Sequence, residues 1–285
     1  MEHSELLKKV AAAKTLPHLG ETEESARAWN EYKQIIENNI INRPRSNQRE
    51  IGASELGTNC LRCLAKRLLG YERGQSAAWL PEIGTAVHAE LEKTFKNADP
   101  DNKRFFTEKE LYVGHLSMPD GSKMRVGGHA DLYDRQTCTV ADWKIVGEYT
   151  RKKVQIKGIT QQYKVQINLY AAALQNEGEA VTRCAVYFLP RDAQTLDAAQ
   201  IYEARPDRNI AVWAFERAQT MLDCFALIKN EYGEQALSDW VECLPKADCF
   251  QCTAYAPRPF VDASKLPAKC FELEKNFRAE YAAKN

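Results

Sequence analysis

Three short β-like runs between residues 108 and 146 constrain the fold more than any other feature of the chain. Polar turns such as "DRQTC" separate them, so consecutive runs are expected to pair as an antiparallel meander. A helical pattern follows over about 160–176, and after it come two further β-like runs, "TRCAVYFLP" and "AQIYEAR". Strands on both sides of a helix indicate an α/β domain with a mixed central sheet. The three runs are "EKELYVGHL", "KMRVGGHADLYD" and "TVADWKIVG".

Helices are predicted around this strand-rich region. Apolar spacing indicates helices over roughly 22–40, 60–70 and 79–97, and from an Asp207 cap to about 231. A last charged helix is expected in the tail. We therefore divide the chain into an N-terminal helical extension, a main domain and a C-terminal helical tail, at residues 1–53, 54–260 and 261–285.

Composition excludes some classes of protein and leaves others open. Lys plus Arg and Asp plus Glu each number 39, so net charge does not point to a polyanionic partner. A neutral protein can still carry a local basic groove, and nucleic acid stays possible. No stretch approaches the ~18 consecutive apolar residues of a membrane span. The first residues are charged and lack the apolar core of a signal peptide, which predicts a cytoplasmic protein without membrane contacts.

The third β-like run carries Asp142 and Lys144, which share one face of a strand because they are two residues apart. If the preceding turn centres on Gln136 and Thr137, Asp131 lies opposite Asp142. Two such carboxylates repel unless a cation lies between them. Oxygen ligands favour a hard divalent ion such as Mg²⁺ or Mn²⁺. The alternative is a structural Asp–Lys pair on a solvated sheet face.

Two predicted helices add candidate residues in a particular order. His88 falls in the helix over 79–97, while Gln166 and Tyr170 share one face of the helix over 160–176. The segments "GTAVH", "GGHAD", "ADWK" and "QINLY" thus follow one another along the chain. This order resembles the RecB-like nucleases of the PD-(D/E)XK superfamily, most of all the CRISPR-associated and phage-encoded RecB-like exonucleases. The resemblance covers about 54–260 and implies a restriction-endonuclease-like core.

The resemblance implies a role for each of these residues. Lys144 would be the catalytic lysine, and imidazole among the ligands should favour Mn²⁺ over Mg²⁺. Glu110 resembles a further acid of the family. The metal ligands would be His88, Asp131, Asp142 and the backbone carbonyl of Trp143, while Gln166 and Tyr170 would support the catalytic site formed by Asp131, Asp142 and Lys144.

The nine cysteines are unevenly spread along the chain. Lone residues such as Cys184 and Cys224 are expected to be small buried hydrophobes. The resembled exonucleases often carry an iron–sulfur cluster held by one early and three late cysteines. By this resemblance the ligands of a [4Fe–4S] cluster would be Cys60, Cys243, Cys249 and Cys252. Cys243 enters the set because Arg258 and Pro259 occupy the expected position of a later cysteine.

Two alternatives to this iron–sulfur site stay open. Zn²⁺ on the same four thiolates is one, and unligated thiols are the other. The expectation places Cys63 outside the ligand set. A site of this kind would close a long loop of the chain, because its ligands lie near both ends of the main domain.

These features together predict a metal-dependent DNA nuclease, encoded by a bacterium or a phage. The resemblance favours an exonuclease on single strands or DNA ends, threaded under an arch, with possible recombination, replication or CRISPR-adaptation partners. The alternatives are a structure-specific endonuclease, a DNA-binding or integration accessory protein with a vestigial site, and a structural metalloprotein. Trp143 and Tyr149 are candidate stacking residues. Candidate phosphate contacts are Arg62, Lys66, Arg67, Lys152, Lys153, Lys157 and Lys164.

Overall fold

A six-stranded mixed β-sheet organises the main part of the protein, as a computed structural model shows. The structure describes residues 23–42, 50–74, 77–246, 249–255 and 261–275, and the statements below concern these residues. The strands are β1 (Ile51–Gly52), β2 (Phe105–Ser117), β3 (Lys123–Asp134), β4 (Thr139–Val146), β5 (Arg183–Pro190) and β6 (Gln200–Ala204).

Strand β3 is the centre of the sheet because it pairs with three neighbours. It runs antiparallel to β2 and β4 and parallel to the short β1. Beyond β4, the strand β5 pairs in parallel, and β6 pairs antiparallel to β5 at the edge. The meander β2–β3–β4 is thus the predicted one, and the sheet is mixed, as predicted. The long connection from β4 to the parallel β5 contains helices, as a parallel crossover requires.

Eight helices accompany the sheet in the part of the chain that is described. They are α1 (Glu23–Ile41), α2 (Ala53–Leu56), α3 (Leu61–Leu68), α4 (Trp79–Ala98), α5 (Glu148–Lys157), α6 (Gln161–Asn176), α7 (Arg208–Cys243) and α8 (Ala268–Lys275). The sequence predicts neither β1 nor α5. Residues 1–22 of the N-terminal extension and 276–285 of the tail lie outside the described residues.

The chain divides into two compact units, and α1 belongs to the smaller one. The larger unit contains the sheet, α2, α3, α5–α8 and residues 80–98 of α4. The proposed boundaries at 53 and 260 stay predictions. No helix among the described residues has the length and apolarity that crossing a bilayer requires.

Helix α6 is the central helix of the core. Its residues from Val165 to Leu174 are all buried, and it packs on α2, α7 and the strands β2, β4 and β5. Thr160 caps its first turn by accepting a hydrogen bond from the Tyr163 N–H. Because this helix is fixed on the sheet, it presents its polar side chains to β4 at defined positions.

Helix α7 extends beyond its predicted end. It starts after the predicted cap, where the Asp207 carboxylate accepts a hydrogen bond from the Asn209 N–H at 2.9 Å. It continues past residue 231 to Cys243, with a break at Gly233, whose φ is +86°. Glycine adopts this left-handed conformation without a Cβ clash, so the helix turns here and resumes.

Candidate active site

The β3–β4 hairpin brings two carboxylates together. Its pairs Asp134/Thr139 and Leu132/Ala141 place the turn centre at Gln136 and Thr137, as predicted. Beyond Leu132/Ala141 the strands stop exchanging backbone hydrogen bonds. The Trp143 N–H instead donates to Oδ2 of Asp131 at 2.6 Å. The strands therefore open at this position, with Asp131 and Asp142 beside the opening.

Asp142 is the most deeply buried acid of this group, with 2% of its surface exposed. Its Oδ1 accepts a hydrogen bond from Gln166 Nε2 at 2.9 Å, and its Oδ2 lies 2.6 Å from Lys144 Nζ. Burial raises the pKa of Asp142 to about 6, against the opposing attraction of Lys144, while Asp131 adds repulsion. Among the described residues, the buried Oδ2 makes no well-directed hydrogen bond, so it retains a lone pair for a cation.

Lys144 completes the pair that the sequence indicates. Its Nζ donates to Oε1 of Gln166 at 3.2 Å and lies 5.1 Å from the centre of the Tyr163 ring. Burial by itself lowers the pKa of Lys144, but attraction to Asp142 outweighs it, and the pKa is raised above its ordinary value. Lys144 is therefore a positive charge at neutral pH.

Gln166 and Tyr170 lie one turn apart on α6, and both reach the site. Gln166 binds Asp142 and Lys144 at once, and its Nε2 also donates to the Tyr170 hydroxyl at 3.3 Å. Burial raises the pKa of Tyr170, so the phenol keeps its proton. Gly128 makes room for this ring, since a Cβ there would lie 2.7 Å from the Tyr170 oxygen.

His88 approaches the acids from α4. Its Nδ1 lies 3.2 Å from Oδ1 of Asp131, and this contact raises the pKa of His88 against the opposing effect of burial. None of the 20 residues of α4 is fully buried. The helix is instead held by Phe95, whose ring stacks on Trp143 at 5.8 Å and meets Phe105 edge-on at 5.1 Å.

Glu108 is a site residue that the sequence analysis misses. It lies on β2 between the Thr107/Leu132 and Lys109/Ala130 pairs, across from Asp131, with an unusual φ of +46°. Burial raises the pKa of Glu108, and Asp131 raises it further. Positions 108 and 110 share one face of a regular strand, so alternation alone cannot choose between them.

Glu110, the acid selected from the sequence, lies elsewhere. Its carboxylate accepts a hydrogen bond from Arg125 Nη2 at 2.8 Å, and its side chain is exposed. The structure thus brings Glu108, rather than Glu110, to the other acids.

The donor set fits a hard divalent cation. Ligand atoms of His88, Glu108 and Asp131 all lie within 4.8 Å of one another, and the carboxylate of Asp142, which contacts Lys144, is buried on the adjoining strand β4. Carboxylate oxygens with one imidazole suit Mn²⁺ or Mg²⁺. Burial is the main cause of the raised pKa values of Asp142 and Glu108, and the charge of Asp131 raises both further, so a bound cation would relieve this repulsion.

The aromatic and basic residues that are candidates for DNA contacts divide into those that pack within the protein and those that are exposed. The Trp143 ring is engaged by Phe95 and, at 5.0 Å, by Tyr187, so it serves packing rather than base stacking. Tyr149 on α5 is 79% exposed. Exposed lysines of the same helix lie at 152, 153 and 157.

Three of the other basic candidates make contacts within the protein. Arg62 and Lys66 pair with Glu242, and Arg67 pairs with Glu55. Lys66 is buried as well. These three residues therefore support the fold, and α5 is the better candidate for phosphate contacts.

A second cluster consists of four thiols. Sγ of Cys60 lies 3.3 Å from that of Cys252, and Sγ of Cys63 lies 3.5 Å from Cys249 and 3.3 Å from Cys252. Hydrogen bonding from the Cys63 side chain and N–H lowers the pKa of Cys60 to about 5, against the effect of burial.

Cys63 takes the place that the sequence analysis assigns to Cys243. Cys243 is the last residue of α7 and is not part of this group. Cys60 is the N-cap of α3 and Cys63 is in its first turn, so the two sulfurs face the same side. The longer α7 removes the expected role for Cys243, because this residue ends a helix instead of starting the cysteine-rich loop.

Comparison with known proteins completes the description. No protein-family model matches the chain, and no curated protein does. The structure is similar to the alkaline exonuclease LHK-Exo of Laribacter hongkongensis, with 13% identity over 72% of this chain and 98% of that one, and a TM-score of 0.40. LHK-Exo in complex with dAMP gives 14% identity, the same coverage and a TM-score of 0.41. A phage-related exonuclease of Haemophilus somnus 129PT gives 14% identity over 68% and 94%, with a TM-score of 0.38.

Proposed function

We propose that the protein is a metal-dependent deoxyribonuclease that hydrolyses phosphodiester bonds. The observation that carries this proposal is the contact network of Asp142, which joins a buried carboxylate to Lys144 and Gln166 while Asp131 lies across the opened hairpin. A solvated structural pair on a sheet face would not bury the carboxylate, whereas Asp142 is 2% exposed. Strongly perturbed titratable groups of this kind are typical of functional sites.

The cation would be held by His88, Asp131, Asp142 and the Trp143 carbonyl, with Glu108 as an additional ligand. A bound divalent ion supplies charge neutralisation at the scissile phosphate and a water of lowered pKa. Asp131 is oriented for this role because Oδ2 is tied to the Trp143 N–H and Oδ1 faces His88. Mn²⁺ is favoured over Mg²⁺ because of the imidazole.

Lys144 stabilises negative charge on the phosphate. Its raised pKa keeps the amine protonated at neutral pH, so it acts as a donor and a positive charge rather than as a base. Gln166 holds the amine in place through Oε1 while its Nε2 holds Asp142. Tyr170 remains a neutral phenol that fixes Gln166.

DNA would approach along α5, which follows the catalytic strand directly. Its exposed Tyr149 is available for sequence-tolerant stacking, and the exposed Lys153 and Lys157 are available for phosphates, while Lys152 pairs with Glu148 at the surface. The exonuclease activity and the preference for single strands or ends are proposed from the resemblance of the motifs to RecB-like exonucleases.

The test compares linear single-stranded DNA with a covalently closed circle of the same sequence, with Mn²⁺ and with chelator. We expect metal-dependent loss of the linear form and survival of the circle. Asp142→Asn should abolish the cleavage. Equal cleavage of both forms would establish an endonuclease instead, and binding of both without cleavage would establish an accessory protein.

A further inference from the structure

The four-thiol cluster has the dimensions of a site for one metal ion. Three of the Sγ–Sγ distances are 3.3, 3.3 and 3.5 Å, and all four sulfurs lie within 4.8 Å of one another. Four thiolates at the Zn–S distance occupy the corners of a tetrahedron with edges of roughly 3.8 Å. Three observed separations are within about 0.5 Å of that edge length, and the 4.8 Å limit on the others is compatible with it.

A [4Fe–4S] cluster, which the resemblance implies, does not fit the same sulfurs. Each cysteine of such a cluster binds a different iron, which separates the sulfurs by roughly 6 Å. No pair in the group of Cys60, Cys63, Cys249 and Cys252 is that far apart. The cluster would therefore need all four side chains to move outward.

The chain segments that carry the thiols also favour a single ion. Cys60 and Cys63 form one C-x-x-C pair at the start of α3, and Cys249 and Cys252 form another at the 3₁₀ turn Phe250–Ala254. Two such pairs are the pattern of structural zinc sites. Within the first pair, the Cys63 N–H donates to Sγ of Cys60 at 3.3 Å, which stabilises a thiolate.

A buried cation, Arg217, is anchored on the segment that precedes Cys60. Arg217 is 6% exposed, and its guanidinium donates to the carbonyl oxygens of Leu56 and Thr58. It has no carboxylate at ion-pair distance among the described residues. An uncompensated buried charge is costly, and one divalent ion bound by four thiolates would be negative overall, so such a site would offset the charge of Arg217.

We propose that Cys60, Cys63, Cys249 and Cys252 hold one Zn²⁺ ion as a closed structural site, in place of an iron–sulfur cluster. The site joins α3 to the cysteine-rich segment. Tyr255 packs on the cluster and receives a hydrogen bond from Arg73 Nε at 3.0 Å, so the same junction is supported without metal contacts.

The first experiment measures metal and sulfide in protein purified anaerobically from iron-replete cells. We expect one zinc per chain, no acid-labile sulfide and a colourless solution. X-ray absorption at the zinc edge should show four sulfur ligands at about 2.3 Å. Roughly four irons and four sulfides per chain, with a brown colour, would overturn the proposal.

The second experiment identifies the ligands with two matched variants. Cys63→Ser should lose the zinc and melt at a lower temperature, while Cys243→Ser should keep both the metal and the melting temperature of the parent. The reverse outcome would overturn the ligand set. If Cys63→Ser does not fold, Co²⁺-substituted parent protein and Cys243→Ser decide it, because both must show the same intense tetrahedral thiolate spectrum. These measurements are independent of nuclease activity.

Discussion

The Trp143 N–H donates to Oδ2 of Asp131 across 2.6 Å, just beyond Leu132/Ala141, the last backbone pair of β3 and β4. A side chain thus takes the hydrogen bond that the partner strand would otherwise accept. This substitution opens the hairpin without leaving a buried N–H unsatisfied. It also orients the carboxylate, because one oxygen is used by the backbone and the other faces His88.

Lys144→Ala should reduce the rate of DNA hydrolysis by about 100-fold or more, because a buried positive charge at the phosphate is lost. Lys123→Ala, an exposed lysine at the far end of β3, serves as the matched control and should keep the parental rate. Initial rates on labelled DNA with saturating Mn²⁺ measure both. An active Lys144→Ala variant would remove this residue from the mechanism.

Mn²⁺ affinity should rise with pH through about pH 6. The pKa of Asp142 is raised to about 6 and that of His88 is raised as well, so below this pH protons compete with the cation at both groups. The sign follows because Mn²⁺ requires the deprotonated ligands. Calorimetric titrations between pH 5 and pH 8 measure the effect, and a flat profile would contradict it.

The metal-free protein should become less stable as the pH rises through about 6. The raised pKa of Asp142 means that the folded state binds its proton more tightly than the unfolded chain. The contribution of this group to stability is therefore present below about pH 4 and falls as pH rises through about 6. Asp142→Asn removes the titrating group, and the difference in melting temperature between this variant and the parent should widen toward neutral pH.

Glu108→Gln should weaken Mn²⁺ binding, whereas Glu110→Gln should not. Glu108 faces Asp131 and His88, while Glu110 is an exposed partner of Arg125. Loss of one carboxylate ligand should weaken the affinity by roughly 10-fold or more. The same substitution two positions apart on β2 makes the two variants a close pair. Equal affinities would exclude Glu108 as a ligand.

Phe95→Ala should weaken Mn²⁺ binding although Phe95 is not a proposed ligand. Its ring stacks on Trp143 and fixes the otherwise exposed helix α4, which carries His88 two turns earlier. We expect a several-fold weaker affinity with little change in the melting temperature. Phe95→Leu should recover part of the affinity by restoring apolar contact. A large fall in melting temperature without a change in affinity would indicate packing alone.

Gly128→Ala should destabilise the fold by about 1–3 kcal/mol, because the new methyl group would overlap the Tyr170 ring. In a Tyr170→Ala background the same change should cost much less. Gly84→Ala in α4 meets no atom within 4 Å and should be neutral or stabilising. Chemical denaturation of the parent, Gly128→Ala, Tyr170→Ala and the double variant measures the coupling between the two positions. Additive changes in the free energy of unfolding would contradict the overlap.

The hairpin register shows what could be predicted from the sequence. The polar turn and the two-residue alternation are local properties, so they place Asp131 opposite Asp142 without knowledge of the rest of the fold. Gln166 and Tyr170 share a face for the same reason, because helical spacing is local. The structure brings all four, together with Lys144 and His88, to one place.

Glu108 and Cys63 show what could not be predicted. The positive φ of Glu108 interrupts the regular alternation of side-chain directions along β2. No pattern in the sequence predicts this interruption. The choice between Cys63 and Cys243 depends on where α7 ends, and its continuation through Gly233 is set by packing in the core rather than by local propensity. The extent of a long helix with an internal glycine is a tertiary property.

The 186 residues between Cys63 and Cys249 have a consequence for biosynthesis. At a translation rate of about 5–20 residues per second, the first thiol pair would wait roughly 10–40 s on the ribosome for the second pair. All the candidate catalytic residues emerge within that interval. The four-thiol site can therefore form only after the sheet and all the proposed catalytic residues have been synthesised. A chain truncated before Cys249 would carry every proposed catalytic group and still lack the four-thiol site.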